Sequence, residues 1–263
     1  MSEKKKMSVI LFANQKGGVA KTTTATTVFN ELNRRGYKCL FIDGDPQCNS
    51  TSTLHGKTGK NITTLYDVIF DDDTEIHEAI QHAEYGDIIA SDKLLGNADA
   101  EFSTSTGTPK LFSLRNKLTT LQTEYDAVIM DSNPSIDHLL NALMFAATDI
   151  IVPMCAEQYS LDGFESLYEA INKTGKMLNP DLRIAGIVIT RFEKRRKKIS
   201  LAAKMFIESI AENYNLELFG PIYENVKVQE AQTRRKPLME HNDSNSAAES
   251  YKEMVDKLIK EVF

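Results

Sequence analysis

The sequence is poor in cysteine and has no long hydrophobic run, and each shortage excludes a class of protein. The three cysteines, Cys39, Cys48 and Cys155, are widely spaced and form no CxxC pair. They argue against a disulfide framework and against a zinc or iron–sulfur site, and they favour a reducing cytoplasm. The longest apolar runs, residues 9–13 and 142–147, fall far short of the roughly 20 residues that cross a bilayer.

The N-terminus resembles a signal peptide only in its charge. Residues 1–6 are polar and basic, but the apolar run behind them is too short for the hydrophobic core of a signal peptide. We therefore expect a disordered segment over residues 1–6 and a cytoplasmic protein.

Charge is unevenly distributed along the chain. The net charge of −6 at pH 7 argues, taken alone, against nucleic-acid binding. However, residues 191–198 contain six basic residues and one acidic residue, and residues 234–236 are all basic. Such clusters are either solvated loops or surfaces that contact DNA phosphates. The candidate DNA-contacting residues are Arg191, Lys194, Arg195, Arg196, Lys197, Lys198, Arg234, Arg235 and Lys236.

Short apolar runs alternate with amphipathic stretches along all 263 residues. Strands are predicted over residues 9–13, 39–42, 87–90, 127–130, 150–153 and 184–189. Helices are predicted over residues 22–35, 64–70, 75–82, 111–121, 139–147, 161–177, 202–214 and 247–262. Residues 55–60 and 96–109 are the least regular, and we expect the second to be a surface loop. Continuous apolar strands separated by helices predict an α/β fold, a mostly parallel sheet with helices on both faces, as a single domain over residues 1–263.

Residues 14–24 read NQKGGVAKTTT, and they follow the first predicted strand and open the first predicted helix. Gly17 and Gly18 allow the backbone to bend so that successive N–H groups face a phosphate. The helix N-terminus adds partial positive charge. Lys21 supplies a full charge for the β- and γ-phosphates, and the Thr22 hydroxyl suits Mg²⁺. The segment therefore predicts a nucleotide phosphate loop.

Carboxylates follow two other predicted strands. One strand runs into FIDGDPQCN, residues 41–49, and another apolar run ends at Asp131. Asp43, Asp45 and Asp131 are therefore expected at the carboxyl edge of the sheet, where open α/β sheets bind ligands. An apolar run that ends in aspartate has the form of a Walker B strand, in which Asp131 would hold Mg²⁺ through water.

These segments together resemble the ParA/MinD family of P-loop ATPases. Residues 16–22 do not meet G-x-x-x-x-G-K-[ST] but resemble the family's deviant Walker A motif, K-G-G-x-G-K-[ST]. Residues 43–49 resemble its D-x-D-P-Q-x-N segment, and residues 220–237 resemble its late I-P-x-N-V-x-x-x-E-A-x-x-x-x-K-P stretch. The similarity spans most of the chain and fits best the small ParA/Soj form without an N-terminal helix-turn-helix.

The resemblance implies a role for individual residues. Lys16 would reach across a nucleotide-sandwich dimer to the partner's phosphates. Asp45 would position the attacking water, and Asp43 would support the Mg²⁺ shell. The candidate catalytic residues are Lys16, Lys21 and Asp45; the candidate Mg²⁺ residues are Thr22, Asp43 and Asp131; the candidate nucleotide-binding residues are Lys16, Gly17, Gly18, Val19, Ala20, Lys21, Thr22, Thr23, Pro221 and Asn225.

Ala20 departs from the family's commoner glycine. If position 20 needs a positive φ, alanine costs about 1–2 kcal/mol there. If it does not, alanine only adds a methyl group near the γ-phosphate and the dimer seam. The sequence leaves both possibilities open.

The resemblance also implies a function. An ATPase of this kind uses ATP and Mg²⁺, dimerises in its ATP state, binds DNA non-specifically on the nucleoid, and is released by hydrolysis that a ParB-like centromere-binding protein stimulates. A MinD-like membrane regulator is an alternative. The mixed charges on the polar face of the helix predicted over residues 247–262 favour packing onto the domain and argue against a membrane. A ParA-like regulator of transcription or replication is a third interpretation, which the sequence does not separate from partitioning.

Overall fold

The protein is described by a computed structural model over residues 6–104, 109–135, 137–155, 161–177, 179–193 and 197–263. The described residues contain eight strands: β1 Ser8–Phe12, β2 Cys39–Gly44, β3 Ile80–Ala83, β4 Gly86–Ile89, β5 Ala127–Ser132, β6 Asp149–Cys155, β7 Arg183–Thr190 and β8 Glu217–Phe219. They form one sheet in the order β3-β4-β2-β5-β1-β6-β7-β8.

The same residues contain twelve α-helices. They are α1 Lys21–Arg34, α2 Asn49–Thr53, α3 Leu65–Phe70, α4 Ile76–Ala79, α5 Ala98–Thr104, α6 Pro109–Leu118, α7 His138–Ala146, α8 Leu161–Met177, α9 Lys197–Asn213, α10 Val226–Thr233, α11 Leu238–His241 and α12 Ser246–Val262.

The sheet is parallel apart from one edge. Within the described sheet, only β3 runs antiparallel to its neighbour, β4. The central strands β5, β1 and β6 are buried along their whole length, as apolar strands covered on both faces should be. One core cluster lies between the sheet and α3, α6, α7, α8 and α9, and the other lies between the sheet and α1, α11 and α12. The prediction of a single α/β domain with helices on both faces is confirmed.

The prediction of a helix over residues 75–82 is wrong in its second half. The helix α4 ends at Ala79, and β3 follows it directly and pairs with β4. Gly86 adopts φ 129°, which glycine tolerates, and it begins β4 immediately after the turn. Residues 80–83 therefore form a strand because they pair with the later strand β4. The hydrophobic pattern of residues 75–82 does not contain this information.

The prediction of a surface loop over residues 96–109 is wrong throughout its described part. A 3₁₀-helix (Lys93–Asn97) leads into α5, and α6 begins at the end of the predicted loop. The Asp92 carboxylate accepts a hydrogen bond from the N–H of Leu94 at 2.9 Å, which starts the helical segment. The Ser103 hydroxyl donates to the carbonyl four residues before it, so its polarity is satisfied inside the helix. Residues 105–108 lie outside the described residues, and residues 55–60 contain neither helix nor strand, as predicted.

The C-terminal helix packs against the domain, as predicted. Tyr251, Met254, Val255 and Leu258 of α12 are buried in the core cluster that also contains α1. In the ranges that the structure describes, no helix is both long enough and apolar enough to cross a membrane.

Candidate nucleotide site at the carboxyl edge of the sheet

The loop between β1 and α1 lies at the carboxyl edge of the sheet and is tied to the neighbouring strands. The side chain of Asn14 accepts a hydrogen bond from the N–H of Lys16 at 2.9 Å and donates one to the carbonyl of Pro153 at 2.5 Å. The carbonyl of Val19 accepts a hydrogen bond from the Thr190 hydroxyl at 3.0 Å. The strands β6 and β7 therefore fix the loop from one side.

Two loop residues adopt the left-handed backbone conformation: Gly18 with φ 77° and Ala20 with φ 60° and ψ 30°. Of the two possibilities for Ala20, the structure has the strained one, which costs about 1–2 kcal/mol. The Ala20 carbonyl accepts hydrogen bonds from the N–H of Thr24 at 2.9 Å and from its hydroxyl at 2.7 Å. The Thr24 hydroxyl also lies 3.1 Å from the hydroxyl of Tyr251. A buried contact with α12 therefore supports the strained residue.

The first turn of α1 carries the predicted phosphate and metal residues. Lys21 is only 7% exposed, whereas Gly17 lies on the exposed outer side of the loop. The Thr22 hydroxyl donates to Oδ2 of Asp131 at 2.7 Å, and the Ser50 hydroxyl donates to the same oxygen at 2.8 Å. The structure therefore brings the loop, the end of β5 and the start of α2 together.

Asp43 and Asp131 are neighbours across β2 and β5. A Cβ at Gly44 would lie 2.7 Å from the carbonyl oxygen of Asp131, so glycine permits this close approach. Asp43 accepts hydrogen bonds from the N–H and the hydroxyl of Thr51, both at 2.7 Å, and from the N–H of Asp45 at 3.1 Å. Burial, and next the charge of Asp131, raise the pKa of Asp43 to about 7, although these hydrogen bonds oppose the rise.

The surroundings of Asp131 fit a divalent cation. Burial raises the pKa of Asp131, while the charge of Lys21 and the hydrogen bonds from Thr22 and Ser50 oppose this rise. Its second oxygen, Oδ1, is buried and has no hydrogen-bond partner in the described part of the chain. A buried carboxylate oxygen without a partner is costly unless a cation or water completes it. Thr22 and Asp131 therefore offer the hard oxygen atoms that Mg²⁺ prefers.

These residues do not form a complete protein cage for a metal. No group of three or more His, Cys, Asp or Glu side chains suited to a metal occurs among the residues described.

Asp45 lies beside the buried pair of carboxylates, Asp43 and Asp131. It is 8% exposed, and its side chain accepts a hydrogen bond from the N–H of Gln47 at 2.9 Å. Its N–H donates to Oδ1 of Asp43 at 3.1 Å, so Asp45 lies beside one member of the buried carboxylate pair. Its charge contributes to raising the pKa of Asp131, after the larger effect of burial.

A cavity of about 270 Å³ adjoins the loop on the side of β7 and β8. Its lining includes Gly18 and Ala20 from the loop, Arg191 from the end of β7, and Asn225. Pro221 precedes the lining residues 222–225. The side chain of Asn225 caps α10 by accepting from the N–H of Lys227 at 2.9 Å. Of the predicted nucleotide residues, Gly18, Ala20, Thr23 and Asn225 therefore line one cavity, while Pro221 does not line it.

The predicted DNA-contacting residues lie in two places. Arg191 lines the cavity just described, and its guanidinium donates to the carboxylate of Glu224 at 3.3 Å. Lys194, Arg195 and Arg196 lie outside the described residues, while Lys197 and Lys198 form the first residues of α9. Arg234, Arg235 and Lys236 are exposed and directly follow α10.

Sequence reasoning missed the hydroxyl side chains that organise this edge. Ser50 and Thr51 bind Asp131 and Asp43, and Thr190 binds the loop. The run NSTST that follows DPQC was the available signal, since hydroxyl groups after an acidic segment can hold carboxylates. The contact between Tyr251 and Thr24 joins residues 227 positions apart and left no local signal.

Known proteins resemble this chain along most of its length. A family described as an AAA domain matches residues 7–184. The chain is 32% identical over 256 residues to the chromosome partitioning protein ParA of Myxococcus xanthus, covering 96% of this chain and 88% of the relative. It is 31% identical over 260 residues to the chromosome-partitioning ATPase Soj of Thermus thermophilus, covering 98% and 97%.

A solved structure shares the fold. The cobyrinic acid a,c-diamide synthase of Mycobacterium smegmatis, with bound ADP and magnesium, superposes with a TM-score of 0.81 at 26% identity and covers 97% of this chain and 94% of its own. Together with the loop and the carboxylates at the sheet edge, these similarities establish what kind of protein this is. The chain belongs to the ParA/Soj family of P-loop ATPases, with ATP as its substrate and Mg²⁺ as its cofactor.

Proposed function

We propose that this ATPase partitions DNA, either a plasmid or a chromosome, by switching between a monomer and an ATP-bound dimer. The observation that carries the proposal is the placement of two lysines in one phosphate loop. Lys21 is buried in the first turn of α1, whereas Lys16 lies at the outer part of the loop, next to the exposed Gly17. In the proposed dimer, a nucleotide in this loop uses Lys21 of its own subunit, and Lys16 reaches the nucleotide held by the second copy of the chain.

The residues at the sheet edge take distinct roles in hydrolysis. Lys21 binds the β- and γ-phosphates of its own subunit's nucleotide, while Thr22 and Asp131 hold Mg²⁺, Asp131 through water, and Asp43 supports that shell. Mg²⁺ supplies positive charge to the β- and γ-phosphate oxygens when it is bound. Asp45 orients the attacking water. Lys16 of the second copy neutralises charge that develops on the γ-phosphate.

The cavity beside residues 222–225 is the natural place for the base of the nucleotide. It adjoins Gly18 and Ala20, so a nucleotide whose phosphates lie on the loop can extend into it. In this arrangement Asn225 lines the cavity and Pro221 directly precedes its lining residues, so the stretch lies near the adenine, as the resemblance implies.

We assign DNA binding to the basic residues between positions 191 and 198, with residues 234–236 as a second contact. The rest of the chain is acidic, so these clusters are where the phosphate backbone is attracted. Dimerisation doubles the clusters on one particle and makes DNA binding depend on ATP. A ParB-like centromere-binding protein stimulates hydrolysis and releases the dimer from the nucleoid.

DNA binding measured with ATP, with ADP and without nucleotide tests the proposal. We expect wild-type protein to bind a duplex of arbitrary sequence with Mg²⁺ and ATP only, and steeply so in salt, since each neutralised phosphate contributes about −0.9 to the slope of log K against log salt. Glutamate at Arg195 and Arg196 should abolish DNA binding and leave the ATP dimer intact. Equal binding in all three nucleotide states would reject the ATP-dependent switch.

Vesicle binding and DNA sequence preference separate the other interpretations. A membrane regulator would bind anionic vesicles with ATP, but the burial of Tyr251, Met254 and Leu258 leaves the apolar stripe of α12 in the core. A transcription or replication regulator would prefer particular DNA sequences, whereas the proposed contact is indifferent to sequence.

A further inference from the structure

A cleft of about 530 Å³ lies beside the nucleotide site, and the proposed function gives it no ligand of its own, although Arg235 and Lys236 of its lining belong to the proposed second DNA contact. It lies between α1, α2 and the segment that follows α10. Thr23 and Gln232 line both this cleft and the cavity assigned to the base. Their side chains are joined by a hydrogen bond of 2.7 Å from Gln232 to Thr23, which separates the two spaces.

The cleft is basic although the chain as a whole is acidic. The described residues that line it include Arg235 and Lys236 but no aspartate or glutamate, while the chain carries a net charge of −6. Among the described residues neither cation forms a salt bridge, although Lys236, after the hydrogen bonds of Tyr85 and His55, helps to lower the pKa of Glu84. By contrast, Lys227 on the neighbouring helix pairs with Glu230 at 2.9 Å. The charges of Arg235 and Lys236 are therefore available to an anion.

Arg235 is also held in an uncommon conformation. Its φ is 51°, in the left-handed region that non-glycine residues seldom occupy. Its carbonyl oxygen lies 2.9 Å from Nε2 of His55, and its N–H donates to the carbonyl of Gln232 at 3.0 Å. The N–H of Lys236 donates to the carbonyl of Ala231 at 3.0 Å, so the left-handed residue forms the C-terminal cap of α10 and fixes the backbone of Arg235 and Lys236 beside the cleft.

One residue that lines the cleft has a buried hydroxyl group without a partner. Thr27 is 1% exposed, and its Oγ1 has no hydrogen-bond partner among the residues that the structure describes. Thr26, one position before it, donates to the carbonyl of Thr22 at 2.8 Å, which is the usual bond of a helical threonine. Thr27 lacks this bond, and the residue lines the cleft, so a phosphate oxygen that enters there can supply the acceptor that its hydroxyl lacks.

We propose that this cleft binds a phosphate group. Arg235 and Lys236 supply two positive charges, and the Thr27 hydroxyl donates a hydrogen bond. A phosphate group carries several strong acceptor oxygens, and hydrogen bonds from charged donors to it are short and strong. The phosphate belongs either to a small phosphorylated molecule or to a DNA backbone, because both present the same oxygens.

Calorimetry with pyrophosphate tests the site. The phosphate loop is first filled with saturating ADP in the absence of Mg²⁺, so that pyrophosphate reports on the cleft alone. We expect one pyrophosphate per chain and a loss of affinity of about tenfold or more in Arg235→Gln/Lys236→Gln, since each lost charge-assisted contact is a large part of such binding. Thr27→Val, which keeps the shape of the side chain, should weaken binding by about threefold or more.

Arg234→Gln is the matched control, because Arg234 is exposed and directly precedes Arg235 but does not line the cleft. It should bind pyrophosphate as the wild type does. The affinity for ADP, measured in every variant, shows that each one is folded. A failure of ADP binding in the wild type would count against the nucleotide site and not against the cleft.

A second titration with a duplex oligonucleotide in Mg²⁺ and ATP identifies the source of the phosphate. If the double variant and Thr27→Val weaken both pyrophosphate and duplex binding, the cleft takes a backbone phosphate. If they weaken pyrophosphate binding alone, it takes a small molecule. The proposal is overturned if pyrophosphate does not bind, if it binds equally to all variants, or if Arg234→Gln weakens it as much as the double variant does.

Discussion

Asp43 and Asp131 are register partners at the ends of β2 and β5, and both carboxyl groups are fully buried. Two ionised carboxylates so close together in a buried site destabilise each other unless a cation lies between them or one of them keeps its proton. In the nucleotide-free protein, burial and then Asp131 raise the pKa of Asp43 to about 7. The buried carboxylate pair therefore favours a cation at this edge of the sheet, and without a cation it lowers the stability of the protein.

The first prediction is that the nucleotide-free protein loses stability as the pH rises towards 7. The pKa of Asp43 is about 7 in the folded state and about 4 in an unfolded chain. The folded state therefore holds a proton on Asp43 that the unfolded chain has lost. The contribution of this proton to the free energy of unfolding is complete below the pKa of the unfolded state and is lost as the pH rises through the pKa of the folded state. The midpoint of thermal unfolding, measured between about pH 5 and pH 8 without Mg²⁺, should fall in the wild type and fall less in Asp43→Asn. If the midpoint falls equally with pH in the wild type and in Asp43→Asn, Asp43 is not the source of the pH dependence.

The second prediction concerns the strained alanine of the phosphate loop. Ala20→Gly removes the cost of a left-handed alanine, about 1–2 kcal/mol, but the extra freedom of glycine in the unfolded chain costs about 0.5–1 kcal/mol. The free energy of unfolding should therefore rise by up to about 1.5 kcal/mol. Ala202→Gly makes the same chemical change at an exposed position of α9 and should lower it by about 1 kcal/mol. Urea unfolding measures both. If the two variants lose stability equally, the left-handed conformation of Ala20 carries no cost.

The third prediction is that Tyr251 positions the phosphate loop from α12. Tyr251→Phe removes the hydroxyl that lies 3.1 Å from the hydroxyl of Thr24, which in turn binds the Ala20 carbonyl. We expect a loss of about 1 kcal/mol in stability and a measurable fall in ADP affinity. Tyr125→Phe is the control, since Tyr125 donates to Asp87 at 2.7 Å outside the nucleotide site. It should lose similar stability with unchanged ADP affinity; identical ADP binding in both variants would make Tyr251 a packing residue only.

The fourth prediction separates hydrolysis from binding. Asp45→Ala should lower the rate of ATP hydrolysis by about tenfold or more, because an unoriented water attacks poorly, and should leave ATP affinity nearly unchanged. Single-turnover hydrolysis and equilibrium binding of ATP measure the two effects. Asp73→Ala, which removes an exposed carboxylate from the segment between α3 and α4, serves as the control. Unchanged turnover in Asp45→Ala would move the catalytic role elsewhere, with Asp43 as the first candidate.

The sequence predicted the features that repeat or that lie close together along the chain. Continuous apolar strands and the segment from Asn14 to Thr24 were enough for the parallel sheet and the loop, because burial on both faces and a strand–loop–helix order leave strong local patterns. Asp43 and Asp131 were expected at one edge since parallel strands end together.

Other features depend on partners distant in sequence. The strand β3 forms because β4 follows it, and β8 has only three residues, so neither leaves a clear period. The φ of Ala20 depends on Thr24 and α12, so the pattern could not choose between its two possibilities. Arg191 belongs to the predicted DNA-contacting residues, and its ion pair with Glu224, 33 positions away, left no local signal.

The mass of the protein in Mg²⁺ and ATP tests the central claim most directly. On an Asp45→Ala background, which is expected to hold ATP without turnover, light scattering should report a dimer. Adding Lys16→Ala should give a monomer that still binds ATP, because Lys21 holds the nucleotide of its own subunit. Adding Lys38→Ala instead should leave the dimer intact, since Lys38 precedes β2 at the opposite edge of the sheet. A stable ATP dimer without Lys16 would contradict the proposal that this lysine completes the site of the second copy.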